Sequence, residues 1–500
     1  MLPSPFSTPD MTAMTAPVPA GEIVPTGEFR AKVRSYPRWI VNFLAIITLA
    51  YGLVLGVTLP WTIQQTLFDP ASGLTSKGPF TTAWGIFLIV IGASIIARWL
   101  VIQAMAFYEH DRVRRKPPAE LPNPAPFVSI LVPAFNESET VIGAPTSLMT
   151  LDYPNYEIIF VDDGSTDDTF IKAFPLAGQY GNCTLRVYTK PNGGKWSSLN
   201  FAYKKAKGDL LLCVDADSGL AKDALRVMVP RMSEKGVVGC AGQVTIRNRN
   251  NFLTKLQAAE YLLGNGGMRM ALSLMGVVTV VPGPIGLYKR AILEEITKIP
   301  RKLSAAAAVT HSGPGAVNGP LSGETFAEDF QLSLSALALG GRIVYEPRAY
   351  AYTKCPDDVA TLMSQRYRWI RGTWQVYIVY VRTLSKLTNR GNKSSLLNTV
   401  MTVLYPADIF LVPILNFFFW ISIAVSMASG QSMNFILAWI GSVLLMNVMT
   451  AMVYILEQDD DIALLPLVPV LDLYQSILIN SAWVIAAVDE VRGTGMRWNA

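Results

Sequence analysis

Histidine is almost absent from this chain: His110 and His311 are the only two in 500 residues. That excludes a His-rich zinc centre and argues against a Ser-His-Asp triad, so acid–base work falls to carboxylates. Cysteine is also scarce. Cys183, Cys213, Cys240 and Cys355 form no C-x-x-C pair, and a reduced, cytosolic setting for the central region is the simplest account of them. Charged residues make up 16% of the chain, against about 25% in an average soluble protein. The net charge of +5 includes no Lys/Arg block interleaved with aromatics, so nothing marks a nucleic-acid surface. Residues 1–29 lack a basic stretch followed by an apolar core and read as a disordered tail rather than a signal peptide.

What is abundant is apolar, 51% of the residues, and it is concentrated. Residues 40–59 carry no charge, and 80–107 are interrupted only by Arg98. Each is long enough for a helix to cross about 30 Å of hydrocarbon. Arg30, Lys32, Arg34 and Arg38 precede the first, and Arg112, Arg114, Arg115 and Lys116 follow the second. The positive-inside rule therefore puts the N-terminus and everything after residue 111, up to the next span, in the cytoplasm, with 61–78 facing outward. Further apolar segments lie at 407–428, 433–456 and 462–488, the last containing Pro466, Pro469 and Asp472. Five full crossings would put the C-terminus outside, whereas Arg492 and Arg497 favour the inside. An interfacial or re-entrant C-terminal segment is the alternative.

Between these sets lies a stretch of different character. Short runs rich in Val, Ile and Leu at 128–133, 157–161, 185–189 and 210–214 read as buried parallel strands. The mixed segments 138–150, 166–178 and 195–206 read as the helices between them, which implies a doubly wound α/β sheet. The Ala-, Gly-, Pro- and Ser-rich stretch 301–322 reads as a mobile loop.

In such sheets, ligands bind beyond the carboxyl ends of the strands. Here those ends carry Pro133-Ala134-Phe135-Asn136-Glu137, then Asp162-Asp163-Gly164-Ser165, then Asn192-Gly193-Gly194-Lys195, then Asp215-Ala216-Asp217. Two carboxylates spaced two apart at a strand end can share one face and suit Mg²⁺ or Mn²⁺ held together with phosphates, although Asp is also common in turns. Glycines opening a helix suit a phosphate, although they equally make an ordinary turn. Glu328-Asp329 follows, and then Gln365-Arg366-Tyr367-Arg368-Trp369, in which Gln365, Arg368 and Trp369 fall on one helical face. A guanidinium and an amide there can clamp a diphosphate, and the indole can stack on a sugar or simply anchor at a membrane interface.

This ordered set, V-P-A-F-N-E, V-D-D-G-S, N-G-G-K, D-A-D, E-D and Q-R-Y-R-W, resembles the processive family 2 glycosyltransferases, which include cellulose, chitin and hyaluronan synthases. The resemblance covers roughly 125–375. It implies an α/β GT-A, Rossmann-like cytosolic domain inserted between N- and C-terminal transmembrane helices, and inversion at the anomeric carbon. The division it implies is a tail over 1–35, two transmembrane helices over 36–110 and the GT-A domain over 111–358. Interfacial helices carrying the Q-x-x-R-W residues follow over 359–395, then transmembrane helices over 396–490 and a short tail over 491–500. By motif match, Phe135 and Asp162 would contact the nucleotide base and Lys195 the uridine diphosphate. Asp215 and Asp217 would bind that diphosphate with Mg²⁺ or Mn²⁺, Asp329 would be the general base, and Gln365 and Arg368 would hold the pyrophosphate. Trp369 would lie under the acceptor sugar.

The implied partners are a UDP-sugar donor, the growing polysaccharide, membrane lipids and an export partner, with the chain resident in the plasma membrane. The acidic motif is Ala327-Glu328-Asp329 where cellulose synthases usually have Thr first and hyaluronan synthases Gly, and Pro282-Gly283-Pro284-Ile285-Gly286-Leu287-Tyr288 lies closer to the hyaluronan and chitin type. The sugar therefore stays open. No PilZ-like domain is expected after the last span. The competing readings are a non-processive enzyme acting on a lipid-linked acceptor, an inactive nucleotide-sugar sensor or scaffold, and a transporter using Arg98, Asp408 or Asp472. Gln365, Arg368 and Trp369 weigh against the first and the intact Asp215, Asp217 and Asp329 against the second, while the three polar residues the third would need are equally explained by positions near a membrane interface.

Overall fold

The computed structural model describes residues 36–68, 78–117, 119–299, 315–323, 325–390, 397, 399–414, 416–417, 433–458 and 460–494. The expected N-terminal tail, residues 301–314 of the expected loop, and most of 415–432 in the expected span at 407–428 lie outside them.

Two long helices, α1 (Arg38–Phe68) and α2 (Gly78–Arg115), run first. Helix α1 continues past the expected end of its span at residue 59, and α2 carries the basic run in its last turns. These cations do more than mark topology. Arg38 and Arg115 both reach Asp111, at 3.0 and 2.6 Å, and Arg114 reaches Glu457 at 3.2 Å. They tie α1 and α2 to the later helix α13 (Met433–Gln458). Three helical stretches among the described residues are long and apolar enough to cross a membrane: Arg38–Thr58, Ile440–Gln458 and Ile462–Arg492.

A nine-stranded mixed sheet follows, in the order β3-β4-β2-β1-β5-β8-β7-β9-β6. Strands β1 (Val128–Ala134), β2 (Tyr156–Asp162), β4 (Cys183–Thr189) and β5 (Leu210–Cys213) are parallel, within a residue or two of the expected positions. Helices α3 (Gly143–Leu148), α4 (Thr169–Ala173) and α5 (Lys195–Lys205) connect them. Strands β1 and β2 are buried along their whole length. Ile130 and Val132 belong to the core on one face and Leu131 to the core on the other, which is why these strands read as continuous apolar runs.

Beyond β5 the sheet departs from the expected doubly wound pattern. Strand β8 (Gly286–Lys289) pairs antiparallel with β5 and with β7 (Val237–Ile246), and β7 runs parallel to β9 (Arg342–Thr353). The short strands β3 (Gly178–Tyr180) and β6 (Gly219–Leu220) close the two edges. The antiparallel half follows from chain path. The chain leaves β7 through two helices (Phe252–Gly264 and Met270–Met275) and re-enters the sheet by the Val281–Ile285 turn, so that β8 runs opposite to both β5 and β7.

The remaining helices are α6 (Ala224–Arg231), α7 (Phe252–Gly264), α8 (Met270–Met275), α9 (Arg290–Thr297), α10 (Glu328–Ala338), α11 (Val359–Val379) and α12 (Ser385–Arg390). One core cluster contains Ile102, Ala106 and Val113 of α2 together with Leu131 and Ile159 of the sheet, Phe330 of α10 and Val376 of α11. The C-terminal end of α2 and the α/β domain are therefore packed as one body. The segment expected as a last span at 462–488 is broken into a 3₁₀ turn (Ile462–Leu467), α14 (Val468–Tyr474), a π-turn (Gln475–Ile479) and α15 (Asn480–Arg492). Pro466 and Pro469 lie at the break, where missing N–H donors and ring clashes oppose a continuous helix. Leu464, Leu471 and Tyr474 lie against Leu256 and Ala258 of α7 and Leu362 of α11.

Residues 315–321, inside the expected mobile loop, are strapped onto α5. The Asn200 amide donates to the carbonyls of Val317 and Leu321 at 2.9 and 3.0 Å and accepts from Leu321 N–H at 3.0 Å. Ser197 donates to Gly315 O at 3.0 Å and accepts from Val317 N–H at 2.8 Å. Three hydrogen bonds at about 1 kcal/mol each make Asn200→Ala raise the open population of this strap at least ~10-fold. Limited proteolysis within 315–323 is expected to accelerate to match, and an unchanged cleavage rate would show that Asn200 does not hold the strap.

Candidate active site

The carboxyl ends of β1, β2, β4 and β5 open to one side, where the parallel strands on either side of β1 diverge. Asp162 and Asp163 end β2, and their tasks differ. Asp162 is 1% exposed, accepting from Thr189 Oγ1 at 2.8 Å and Ser165 N–H at 3.3 Å. Asp163 receives Gly193 N–H at 3.1 Å and Gly194 N–H at 2.7 Å, and pairs with buried Lys190. It pins the glycine loop that starts α5. Gly194, the residue before that helix, has φ +88°, a left-handed conformation natural to glycine. Phe135, just past β1, is 39% exposed, an aromatic face available beside the β2 end.

Lys195, first in α5, lies between acids. Its ammonium is 2.7 Å from Asp215 and 3.3 Å from Glu328. Burial by itself would lower its pKa, but Asp215, Glu328 and Asp329 hold it well above the ordinary lysine value. These four side chains line one cavity with Cys213, Tyr288 and the Val281–Gly283 turn. A Cβ on Gly283 would come within 2.9 Å of Lys195 Nζ and 3.1 Å of Asp215 Oδ2, so a side chain here would press on both charged groups.

Asp329, in the first turn of α10, accepts from Phe330 N–H at 2.7 Å. Burial, reinforced by the Glu328 charge and partly offset by Lys195, pushes its carboxyl up to about 6. A carboxylate so tuned suits general-base work near neutral pH. Tyr288 and Ser333 hydrogen-bond at 2.9 Å, and Ser333 donates to the Asp329 carbonyl at 2.7 Å, fixing the helix start from below.

Asp215 and Asp217 lie in the turn after β5, with Ala216 buried between them. Burial and the Asp215 charge hold the Asp217 carboxyl above its ordinary value. Its Oδ1 accepts from Ser218 at 2.8 Å. Two hard oxygen donors repelling each other fit a divalent cation whose remaining ligands come from phosphates. Among the described residues no group of three or more acidic, His or Cys side chains could hold a metal ion by itself. Glu137 lies close enough to Asp215 and Asp217 for their charges to help burial raise its carboxyl.

Helix α11 packs against the start of α10. A Cβ on Gly372 would meet Ala327 N at 2.9 Å, and Phe326 N–H donates to Gln375 Oε1 at 3.3 Å. The acidic pair is thus docked directly on the Q-x-x-R-W helix. Arg368 feels the Glu328 charge, which opposes the lowering of its guanidinium pKa by burial. Gln365 is half-buried on the same helix, and Trp369 is 39% exposed.

The residues brought together most closely are Lys195, Asp215 and Asp329, with Arg368 facing them across Glu328. Asp162 lies deeper, at the base of the β2 end. Three further participants gave little or no signal in sequence. Glu328 was visible only as the neighbour of Asp329. Gly283 sat in a motif with no assigned role, and Asp163 looked like a second copy of Asp162. The close approach at Gly283 was the one feature that a glycine between two prolines could have flagged.

Residues 129–297 match the family described as Glycosyl transferase family 2. The poly-beta-1,6-N-acetyl-D-glucosamine synthase of Staphylococcus epidermidis is 29% identical over 254 residues, 50% of this chain and 55% of that protein. The N-acetylglucosaminyltransferase of Azorhizobium caulinodans is 31% identical over 268 residues, 53% of this chain and 64% of its own length. The chain thus spans little more than half the length of the first curated relatives it matches. Among solved structures, the mannosyltransferase PcManGT of Pyrobaculum calidifontis is similar over 78% of this chain and 95% of its own, at 18% identity and a TM-score of 0.48. The motif order, the sheet and the family match agree: residues 129–297 are a family 2 glycosyltransferase domain of GT-A fold, with helices apolar enough to cross a membrane before and after it.

Proposed function

We propose that the chain is a processive, inverting glycosyltransferase that polymerises a UDP-sugar into a β-linked polysaccharide on the cytoplasmic face of the plasma membrane and passes the product through its helices. The observation that carries this reading is the clustering of Lys195, Asp215, Glu328 and Asp329 around one cavity, while the helix that bears Gln365, Arg368 and Trp369 docks on the residues just before the acidic pair. The curated relatives are named for N-acetylglucosamine transfer, which makes UDP-N-acetylglucosamine the first donor to test.

In this mechanism Phe135 and the buried Asp162 shape the pocket for the base. The ammonium of Lys195 and the guanidinium of Arg368 meet the negative charge that develops on the leaving diphosphate, with Gln365 hydrogen-bonding beside them. Asp215 and Asp217 would hold Mg²⁺ or Mn²⁺, which would neutralise further charge on the same diphosphate. Asp329 takes the proton from the acceptor hydroxyl as its oxygen bonds to the anomeric carbon and the bond to UDP breaks. One displacement inverts the centre and turns an α-linked donor into a β-linked product. Trp369 offers its ring to the terminal sugar of the chain. A polar polymer does not cross hydrocarbon unaided, so the spans serve export as well as anchoring. The domain division at 1–35, 36–110, 111–358, 359–395, 396–490 and 491–500 belongs to the same proposal, as do the lipid contacts and an export partner.

The detergent-solubilised protein incubated with a panel of UDP-sugars and Mg²⁺ or Mn²⁺, with UDP release and product size as readouts, tests the reading. High-molecular-weight product from one donor is expected. Short or lipid-linked product would favour the non-processive alternative, and no turnover would sink both. Loss of a general base costs ~10²–10⁴-fold, so Asp329→Asn is expected to lose turnover by that factor while donor binding survives; near-normal turnover would remove Asp329 from the role.

The base is active when ionised. With its carboxyl raised to about 6, kcat/KM is expected to fall as pH drops below about 6 and to level off above it. Glu328→Gln removes the like charge that helps raise Asp329, so the acid limb of the profile moves to lower pH. A limb that stays in place would show that Glu328 does not tune the base.

A further inference from the structure

Trp369 is not left to itself. Arg366, one turn earlier on α11, is 7% exposed, and its guanidinium lies 4.6 Å from the centroid of the indole. Its Nη2 donates to Glu260 Oε2 at 2.7 Å. Glu260 belongs to α7, and the same carboxylate also accepts from Tyr474 OH at 3.1 Å and from Gln475 Nε2 at 3.4 Å. Tyr474 and Gln475 come from the broken apolar segment Ile462–Arg492. That segment grips α11 a second time. Tyr367 OH donates to Asp489 at 2.7 Å, Arg371 Nε donates to Glu490 at 2.9 Å, and Arg371 Nη1 donates to Tyr367 OH at 2.9 Å.

We propose that Arg366 is a positioning residue for Trp369, held in place by Glu260, and that this pair links the acceptor platform to the C-terminal apolar segment. The proposal rests on the reading of Trp369 as the acceptor's stacking partner. An indole 39% exposed on a helix flank retains rotamer freedom that binding must remove. A guanidinium stacked on one face and locked by a carboxylate removes that freedom beforehand and leaves the opposite face to a sugar. Glu260 is the junction. It neutralises Arg366 and at the same time receives the two donors of the segment through which the product would leave. A shift of that segment is therefore felt at the ring.

The test uses the full-length protein in detergent with UDP-N-acetylglucosamine as donor and a β-1,6-linked N-acetylglucosamine oligosaccharide as acceptor. The variants are Arg366→Met, Arg366→Lys, Glu260→Gln, the Arg366→Met/Glu260→Gln pair, and Trp369→Ala. Arg366→Met and Glu260→Gln are expected to raise acceptor KM about three- to tenfold, the range for losing one such contact, and to shorten the product, with donor KM within about twofold of the parent. Arg366→Lys is expected to recover most of the loss, because an ammonium also sits over an indole. The double variant removes the uncompensated, half-buried carboxylate and is expected to regain thermal stability; its acceptor defect is expected to persist. If the double variant regains acceptor KM along with stability, Arg366 is only structural and the proposal falls. If Trp369→Ala is impaired while Arg366→Met is normal, positioning fails and the platform survives. If Trp369→Ala itself has normal acceptor KM and product length, the platform fails and takes the proposal with it.

Discussion

One cation among several carboxylates organises this site. Lys195 sits at the start of α5, within 2.7 Å of Asp215 and 3.3 Å of Glu328, and three different stretches of chain must arrive together for that to happen. The strand end after β5 brings Asp215, the start of α10 brings Glu328 and Asp329, and the pinned glycine loop brings Lys195 itself. Without the ammonium, the carboxylates would repel one another in a partly desolvated pocket. With it, the pocket stays assembled and still holds one acid, Asp329, at a pKa of about 6. A diphosphate entering here would meet the same ammonium, and the acids that Lys195 now neutralises would be available to a divalent cation.

The surrounding architecture serves the alignment of those stretches. Asp163 spends both carboxylate oxygens on holding the glycine loop. At Gly372 the backbone of Ala327 comes too close for a side chain, and a side chain on Gly283 would press on the charged ends of Lys195 and Asp215. The strap 315–321 covers the outer face of α5. The result is a site whose polar groups are set by backbone packing on several sides, the condition under which preorganised charge acts most strongly.

The apolar helices are not appended to this domain. Ile102, Ala106 and Val113 of α2 share a core with the sheet and with α10 and α11, and Arg114 binds Glu457 at the end of α13. The C-terminal segment reaches α11 through Glu260, Asp489 and Glu490. Chemistry at the strand ends and movement of a product through helices would thus share one rigid connection, the helix that carries Gln365, Arg368 and Trp369.

Much of this was legible in sequence. The parallel strands, α5 and the acids at 215 and 217 announce themselves through local rules: apolar runs, glycine before a helix, carboxylates at strand ends; Asp329 stood out only through the ordered motif set. The long apolar stretches do the same through length alone. What only the tertiary structure decided is pairing. Nothing local distinguishes Asp162, whose buried carboxylate accepts from Thr189 and Ser165, from Asp163, which holds the glycine loop. Nothing near Lys195 names Glu328 as its partner, and nothing near Trp369 points to Glu260. The strap at 315–321 looked mobile because its composition is that of a loop, whereas its order comes from Ser197 and Asn200 far away in the chain. The antiparallel half of the sheet escaped for the same reason. Period and turn chemistry describe a segment's own backbone, while strand direction, ion pairs and close backbone approaches depend on which distant segment the fold brings alongside.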